Sequence, residues 1–264
     1  MPTYTDQLER EISINLKPQR IISLVPSLTE LISELGIEKQ LVGITQFCKH
    51  PYHLKSTKTI VGGTKKVDFE KIKSLNPDFI LCAKEENTPK LVAELENIAT
   101  VFVADVKSVQ ESILLIEVLG RILHCQTNAE NLIQKMKFHL ADFKNFTKYL
   151  PRKKVAYFIW ENPWMVVGND CYINDLLKLN NFINVYEAKG RYPEIAVENI
   201  RKDGNPKIIL LPTEPFPFND EHAFEIGRHS NHAKTVFVEG EMFSWYGSRL
   251  LKAIPYFKKM HEVL

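Results

Sequence analysis

The chain has 264 residues, a formal net charge of +2 with acidic and basic residues intermixed, and four cysteines. No lysine or arginine run is flanked by aromatics, which argues against a nucleic-acid footprint, and no apolar stretch approaches membrane-spanning length. Cys48, Cys82, Cys125 and Cys171 stand far apart with no Cys-x-x-Cys pair, which favours reduced thiols over a zinc ribbon or a disulfide framework.

In chain order, the first ten residues, Met1 to Arg10, carry neither a basic start nor an apolar segment, so the chain as written is expected in the cytoplasm. Residues Arg20 to Val25 form a β-branched run stopped by Pro26. Ser27-Leu28-Thr29-Glu30 then predicts a capping box for a helix with Leu28, Leu31, Ile32 and Leu35 on one face, ending at Gly36. Strands are predicted over Leu41 to Thr45 and Thr59 to Val61, and Gly62-Gly63 predicts a tight turn leading to a helix that carries Glu70. Asn76-Pro77 breaks that helix. A strand follows over Phe79 to Ala83, then a helix start at Thr88-Pro89 and a strand from Val101 to Ala104.

The next stretch is the most purely helical. Ser108-Val109-Gln110-Glu111 predicts one helix start and Thr127-Asn128-Ala129-Glu130 a second capping box, after which Leu132, Ile133, Met136, Leu140 and Phe143 recur at helical spacing until Pro151. About 22 helical residues reach roughly 33 Å, long enough to act as a rigid strut that limits closure of whatever it joins. A further strand is predicted over Val155 to Trp160, and an amphipathic helix follows Tyr246-Gly247-Ser248.

The chain also repeats itself. Glu70, Ile72, Asn76-Pro77-Asp78-Phe79-Ile80-Leu81 and Thr100-Val101-Phe102-Val103 return in order as Glu198, Ile200, Asn205-Pro206-Lys207-Ile208-Ile209-Leu210 and Thr235-Val236-Phe237-Val238. Strands alternating with helices imply parallel pairing, so the expected fold class is α/β: two similar lobes with mainly parallel sheets flanked by helices, joined by one long rigid helix. The expected boundaries are an N-terminal extension 1–18, an N-terminal lobe 19–106, linking helices 107–151 and a C-terminal lobe 152–264. A seam between two lobes favours a small-molecule site.

With these elements placed, residues 19 to 262 resemble the helical-backbone class of substrate-binding proteins, the receptors that deliver cobalamin, haem and ferric siderophores to ABC importers. The carriers are Arg20 to Glu30, Gly62-Gly63-Thr64, Asn76-Pro77-Asp78 and Trp245-Tyr246-Gly247-Ser248-Arg249. Phe47-Cys48-Lys49-His50-Pro51, Gly62-Gly63-Thr64-Lys65 and Lys84-Glu85-Glu86-Asn87 narrow the resemblance to a signal-less, cobalamin-binding-like branch. The resemblance implies a ligand held between the lobes with little closure, and one acidic residue per lobe docking on arginines of a membrane permease, positions matched by Glu70 and Glu198. It also puts Trp164 and Tyr192 near aromatic positions of the cobalamin receptors, with Thr64 where a tryptophan is expected. An importer's receptor lies outside the membrane, so the compartment becomes the periplasm if the true start lies upstream.

Trp164, Tyr192, Phe243, Trp245 and Tyr246 fall in segments predicted as loops after strands, where they would line an aromatic pocket for a flat macrocycle or catecholate, or fill the second lobe's own core. Phe243 fits the core reading equally well. Cys48, His50 and His53 make a compact soft-ligand cluster, Cys48 and His50 being the candidate metal ligands, or a structural group. His222, His229 and His232 lie in a charged segment that reads as a solvated helix. Glu85, Glu86 and Glu241 sit after predicted strands, where parallel sheets place ligands, or are ordinary exposed charges near helix starts. First-turn carboxylates such as Glu70 and Glu198 are also stabilised by the helix dipole alone.

No nucleophile elbow, phosphate loop, Gly-x-Gly-x-x-Gly turn or His-Glu-x-x-His helix is present, and no catalytic residue is assigned. The expected function is capture of a cobalamin, haem or ferric siderophore ligand by a monomer, with an ABC permease as partner and no intrinsic cofactor. The alternatives are a receptor for a bare metal ion, and a cytoplasmic cofactor-handling protein or enzyme on the same fold.

Overall fold

The structure, a computed structural model, describes residues 3–14, 16–230 and 232–264; Met1, Pro2 and Asn15 of the expected N-terminal extension, and Asn231, lie outside them. The chain forms two compact units. One comprises Met1–Val106, Gln110–Lys137 and Trp245–Leu250, and the other Lys107–Val109, Phe138–Ser244 and Leu251–Leu264.

In the first unit, strands β1 (Thr3–Thr5) and β2 (Glu11–Ser13) pair as an antiparallel hairpin. The chain continues through β3 (Ile21–Ser23), α1 (Pro26–Glu34), β4 (Leu41–Ile44), α2 (Leu54–Thr57), β5 (Thr59–Ile60), α3 (Phe69–Ser74), β6 (Phe79–Ala83), α4 (Pro89–Glu96) and β7 (Thr100–Ala104). The strands lie in the order β5-β4-β3-β6-β7, and every pairing is parallel. Strands covered on both faces need apolar residues at nearly every position, and Phe79–Ala83 is buried throughout. Ile22, Leu24, Ile80, Cys82, Leu91 and Val103 share one core cluster.

β7 is an edge strand whose exposed backbone is answered by the N-terminal hairpin. The Asp6 carboxylate, fully buried, accepts the Val103 N–H at 3.1 Å, the Arg10 Nε–H at 2.8 Å and the backbone N–H groups of Leu8 and Arg10.

Helix α5 (Val109–Ile122) and helix α6 (Gln126–Thr147) follow. The long helix runs unbroken for 22 residues and joins the two units. It begins one residue earlier than the expected capping box, which puts Thr127 inside the first turn. Asn128 instead donates from Nδ2 to the Leu35 carbonyl at 2.8 Å, satisfying an acceptor at the end of α1. The expected box at Ser27 is also replaced. Pro26 opens α1 directly, Val25 supplies no side-chain cap, and Glu30 is drawn elsewhere.

The second unit contains β8 (Lys153–Trp160), β9 (Met165–Val166), α7 (Tyr172–Leu179), β10 (Phe182–Asn184), α8 (Ile200–Asp203), β11 (Ile208–Pro212), α9 (Asp220–His229), β12 (Lys234–Val238), α10 (Gly240–Ser244) and α11 (Leu250–Val263). Its parallel order is β10-β8-β11-β12, with β9 antiparallel to β8. Ala156, Phe158, Ile209 and Leu211 pack with Tyr186 and Phe218, and the fully buried Tyr157 lies tilted against Phe243, which in turn meets Phe257.

The sequence repeat survives as structure, with one shift. Asn76 and Asn205 both adopt left-handed backbone (φ 43° and 49°) before their prolines. Yet Phe79 pairs with Thr100, whereas the residue paired with Thr235 is Ile209 and not the aligned Ile208. A one-residue change of register turns aligned side chains to opposite faces, and Phe102 is buried while Phe237 is 44% exposed.

His261 of α11 packs among Phe143, Phe146 and Phe182, and its Nε2 lies 3.1 Å from the Asn180 Oδ1. Because Asn180 spends its amide N–H on the Leu176 carbonyl, its oxygen faces the ring as an acceptor. Burial, with Lys153 adding repulsion, lowers the His261 pKa from 6.5 to about 4. The folded state therefore takes up this proton later than the unfolded chain as pH falls. The resulting stability is complete above pH 6.5 and is lost as pH drops towards 4, to a total of at most about 3 kcal/mol. Urea midpoints measured from pH 7.5 to 4 should fall more steeply for the native chain than for His261→Phe; parallel curves would contradict this.

Candidate functional site

In the first unit, the loops at the carboxyl ends of β4, β6 and β7 collect side chains that are remote in sequence. The segment Trp245–Leu250 belongs to this unit and is fixed by three contacts. Arg249 Nε lies 2.8 Å from Glu30 Oε2, with both side chains 3% exposed. The Gly247 N–H donates to Ser112 Oγ at 2.8 Å. Gly247 itself has φ +84° and rests over Leu31, a backbone conformation that a Cβ would strain.

The anchored segment presents Trp245 with the Arg249 guanidinium 4.8 Å from its ring centroid and His50 edge-on at 5.7 Å. Tyr246 next to it is buried. Burial raises its hydroxyl pKa well above 10; the carboxylates of Glu86, Glu85 and Asp105 add to this, and a hydrogen bond with Ser27 opposes it. Trp245, Tyr246, His50, Glu85 and Glu86 are thus brought into one neighbourhood. Lys84 forms an ion pair with the buried Asp105 at 2.8 Å, and the Asp105 N–H donates to Gln7 Oε1 at 3.2 Å, linking this rim to the N-terminal hairpin.

Cys48 lies beneath the same loops. Its thiol donates to Thr29 Oγ1 at 3.1 Å and sits 3.5 Å from Thr45 Oγ1. Burial pushes its pKa up, as burial pushes Cys82 up to about 12, so both thiols are held protonated. His53 pairs with Glu38 at 2.7 Å. Among the described residues no group of three or more His, Cys, Asp and Glu side chains is placed to hold a metal ion.

Thr64 occupies a turn built by its glycines. Gly62 has φ +120°, where a Cβ would meet the Lys66 carbonyl at 2.7 Å, and the Gly63 N–H donates to that same carbonyl at 2.8 Å. The buried Asn87 locks the turn, donating to the Thr64 carbonyl at 2.6 Å while its own oxygen accepts the Ala83 N–H.

In the second unit, Trp164 is half-buried and stacks on Phe218 with centroids 6.3 Å apart and planes 9° apart. His222 stands edge-on to Trp164, Phe216 and Phe218. Its Nδ1 accepts the Asn219 N–H at 3.0 Å, completing the capping box of α9. His222 is therefore part of the aromatic cluster, which the charge of its segment concealed; the Asn219-x-x-His222 spacing was the available signal. Trp160, 43% exposed at the end of β8, packs against Phe216 at 5.4 Å. Tyr192 lies 5.9 Å from the Arg191 guanidinium, and Glu241 is buried in the first turn of α10. Phe243 is in α10 and belongs to the core.

Glu70 is in the first turn of α3, its carboxylate 85% exposed and 2.9 Å from Lys73 Nζ. Glu198 is exposed in a short 3-10 turn, Val197–Asn199, ahead of α8.

A family model described as periplasmic binding protein matches residues 21–239. An uncharacterized ABC transporter substrate-binding lipoprotein of Bacillus subtilis, YvrC, is 27% identical over 216 residues, 79% of this chain and 68% of that protein. A vitamin B12-binding protein of Vibrio cholerae is 24% identical over 213 residues, 79% of this chain and 73% of that protein. Among solved structures, the apo form of the periplasmic heme-binding protein RhuT from Roseiflexus sp. RS-1 superimposes with a TM-score of 0.80 at 17% identity, covering 92% of this chain and 98% of that one.

Removing either partner of the Glu30–Arg249 pair leaves a buried charge uncompensated. Glu30→Leu and Arg249→Met should each lose about 3–5 kcal/mol in denaturant unfolding, and the double variant Glu30→Leu/Arg249→Met should recover much of that loss. Additive losses would show that the two residues do not act as a pair.

Proposed function

We propose that this chain, which belongs to the periplasmic binding protein family, is a substrate-binding protein that captures a cobalamin-like or iron-chelate ligand for an ABC importer. The observation that carries the reading is the neighbourhood at the carboxyl end of the first unit's sheet, where Trp245, His50, Tyr246 and Glu86 are held together by a buried anchor. Carboxyl ends of parallel strands are where open α/β sheets bind ligands. Aromatic faces suit a flat macrocycle or catecholate, because they offer contact area at little cost in side-chain entropy. The vitamin B12-binding and heme-binding relatives support a metal chelate as the ligand class. In this reading Thr64, Glu85, Glu86, Glu241, Trp245 and Tyr246 face ligand, as do Trp164 and Tyr192, and binding involves no covalent chemistry.

Tryptophan emission tests it. Hydroxocobalamin, haem or a ferric catecholate should quench saturably after correction for absorption, and Tyr192→Ala should weaken that ligand several-fold, since losing a stacked aromatic costs about 1 kcal/mol. No saturable response to any of the three would contradict the reading.

The repeated Glu70 and Glu198 are proposed as permease contacts. Exposure of both side chains supports this, as does the weak worth of the Lys73 pair, which at a solvated site contributes about 0–1 kcal/mol. Glu70→Lys and Glu198→Lys should each lower ligand uptake by cells while leaving ligand affinity intact. Unchanged uptake in both variants would reduce the two glutamates to helix-start residues.

A further inference from the structure

One groove of the first unit carries charge that no described residue neutralises. It has a volume of about 530 Å³ and is walled by Gln46, Phe47, Gly63, Thr64, Lys65 and Lys66. Lys65 and Lys66 are exposed, and among the described residues neither ammonium has an ion-pair or hydrogen-bond partner. Asp68, the one carboxylate on the groove wall, is committed to α3: it accepts the Lys71 N–H at 3.1 Å and lies 3.7 Å from Lys71 Nζ.

The rest of the groove is a fixed frame. The turn that bears the lysines is closed by the Gly62–Val67 bridge and tied down through the Thr64 carbonyl by Asn87, which is 3% exposed. Phe47 is half exposed and lies against the same turn. A Cβ on Gly63 would stand 3.1 Å from its ring, so the glycine is what lets the ring lie close. A flat apolar face therefore stands beside two uncompensated positive charges on a pre-formed turn.

We infer that this groove selects an anionic chelate, with carboxylate or catecholate groups on Lys65 and Lys66 and a flat face on Phe47. The inference rests on the proposed receptor function and narrows it, because a ligand without net charge gains nothing from the lysines. Two ammonium groups meeting one anionic edge at about 4 Å, in a partly desolvated groove, are worth several-fold to hundreds-fold in affinity.

The test uses the full chain and two probes, ferric tris(2,3-dihydroxybenzoate), which carries six negative charges when its catecholate and carboxylate groups are ionised, and cyanocobalamin, which has no net charge. Emission titrations should show that Lys65→Gln/Lys66→Gln weakens the ferric catecholate about tenfold or more, that Lys65→Arg/Lys66→Arg restores it, and that melting temperatures stay unchanged. Raising salt should weaken the native chain's binding more than the glutamine variant's, because screening acts on the charges the variant lacks. Unchanged catecholate affinity in the glutamine variant overturns the inference. Binding of cyanocobalamin with no binding of the ferric catecholate also overturns it while leaving the receptor reading intact. Failure of both probes to bind overturns the inference, and failure of haem as well removes the receptor reading with it.

Discussion

A buried ion pair, Glu30 with Arg249, fixes the segment Trp245–Leu250 against α1 in the first unit. Two ions at 3% exposure have given up several kcal/mol of hydration each, and their contact at 2.8 Å helps to offset that loss. Such a pair adds little net stability, yet it leaves few alternative arrangements, because separating the partners strands both charges. The chain has passed through most of the second unit, Phe138–Ser244, before Trp245–Leu250 returns to the first. Arg249 decides where that return lands, and with it where Trp245 and Tyr246 stand.

The surroundings of the pair follow from the same constraint. Arg249 also faces the Trp245 ring, so one cation both neutralises Glu30 and orients an aromatic wall. The Tyr246 hydroxyl stays protonated amid carboxylates, so it is available as a hydrogen-bond donor at any physiological pH. Cys48 is equally fixed as a thiol, bonded to Thr29 from the same helix that carries Glu30. The neighbourhood is thus a rigid, proton-stable surface, suited to recognising a ligand by shape, stacking and charge. Selectivity then rests with exposed groups at its margin, such as the lysines of the 63–66 turn.

The fold was legible in the amino-acid sequence because strands buried on both faces must be apolar throughout, as in Phe79–Ala83 and Ile208–Pro212. Asn-Pro marked both helix ends for a local reason, the left-handed backbone at Asn76 and Asn205. What depended on distant partners was not legible. Glu30 has capping-box spacing to Ser27, but an arginine 219 residues away takes its carboxylate. Asn128 looks like a cap component and instead serves the end of α1. The register shift between the two repeats leaves no trace in the aligned residues. At the site, the Trp245-Tyr246-Gly247-Ser248-Arg249 string was visible as a motif. Lys65 and Lys66 carry no such signal, because two lysines on a turn look the same in sequence whether they face a ligand or bulk water. His222 was hidden by its charged neighbours, although its ring is enclosed by aromatics.

The central claim is that this protein carries a metal chelate, and the most direct measurement is the absorption spectrum and metal content of protein isolated gently from its own source. The account predicts a visible chromophore that elutes with the chain and close to one metal atom per molecule, both lost together when the chelate is extracted. A protein whose metal stays bound without any organic chelate, or one that carries an organic ligand free of metal, would contradict it.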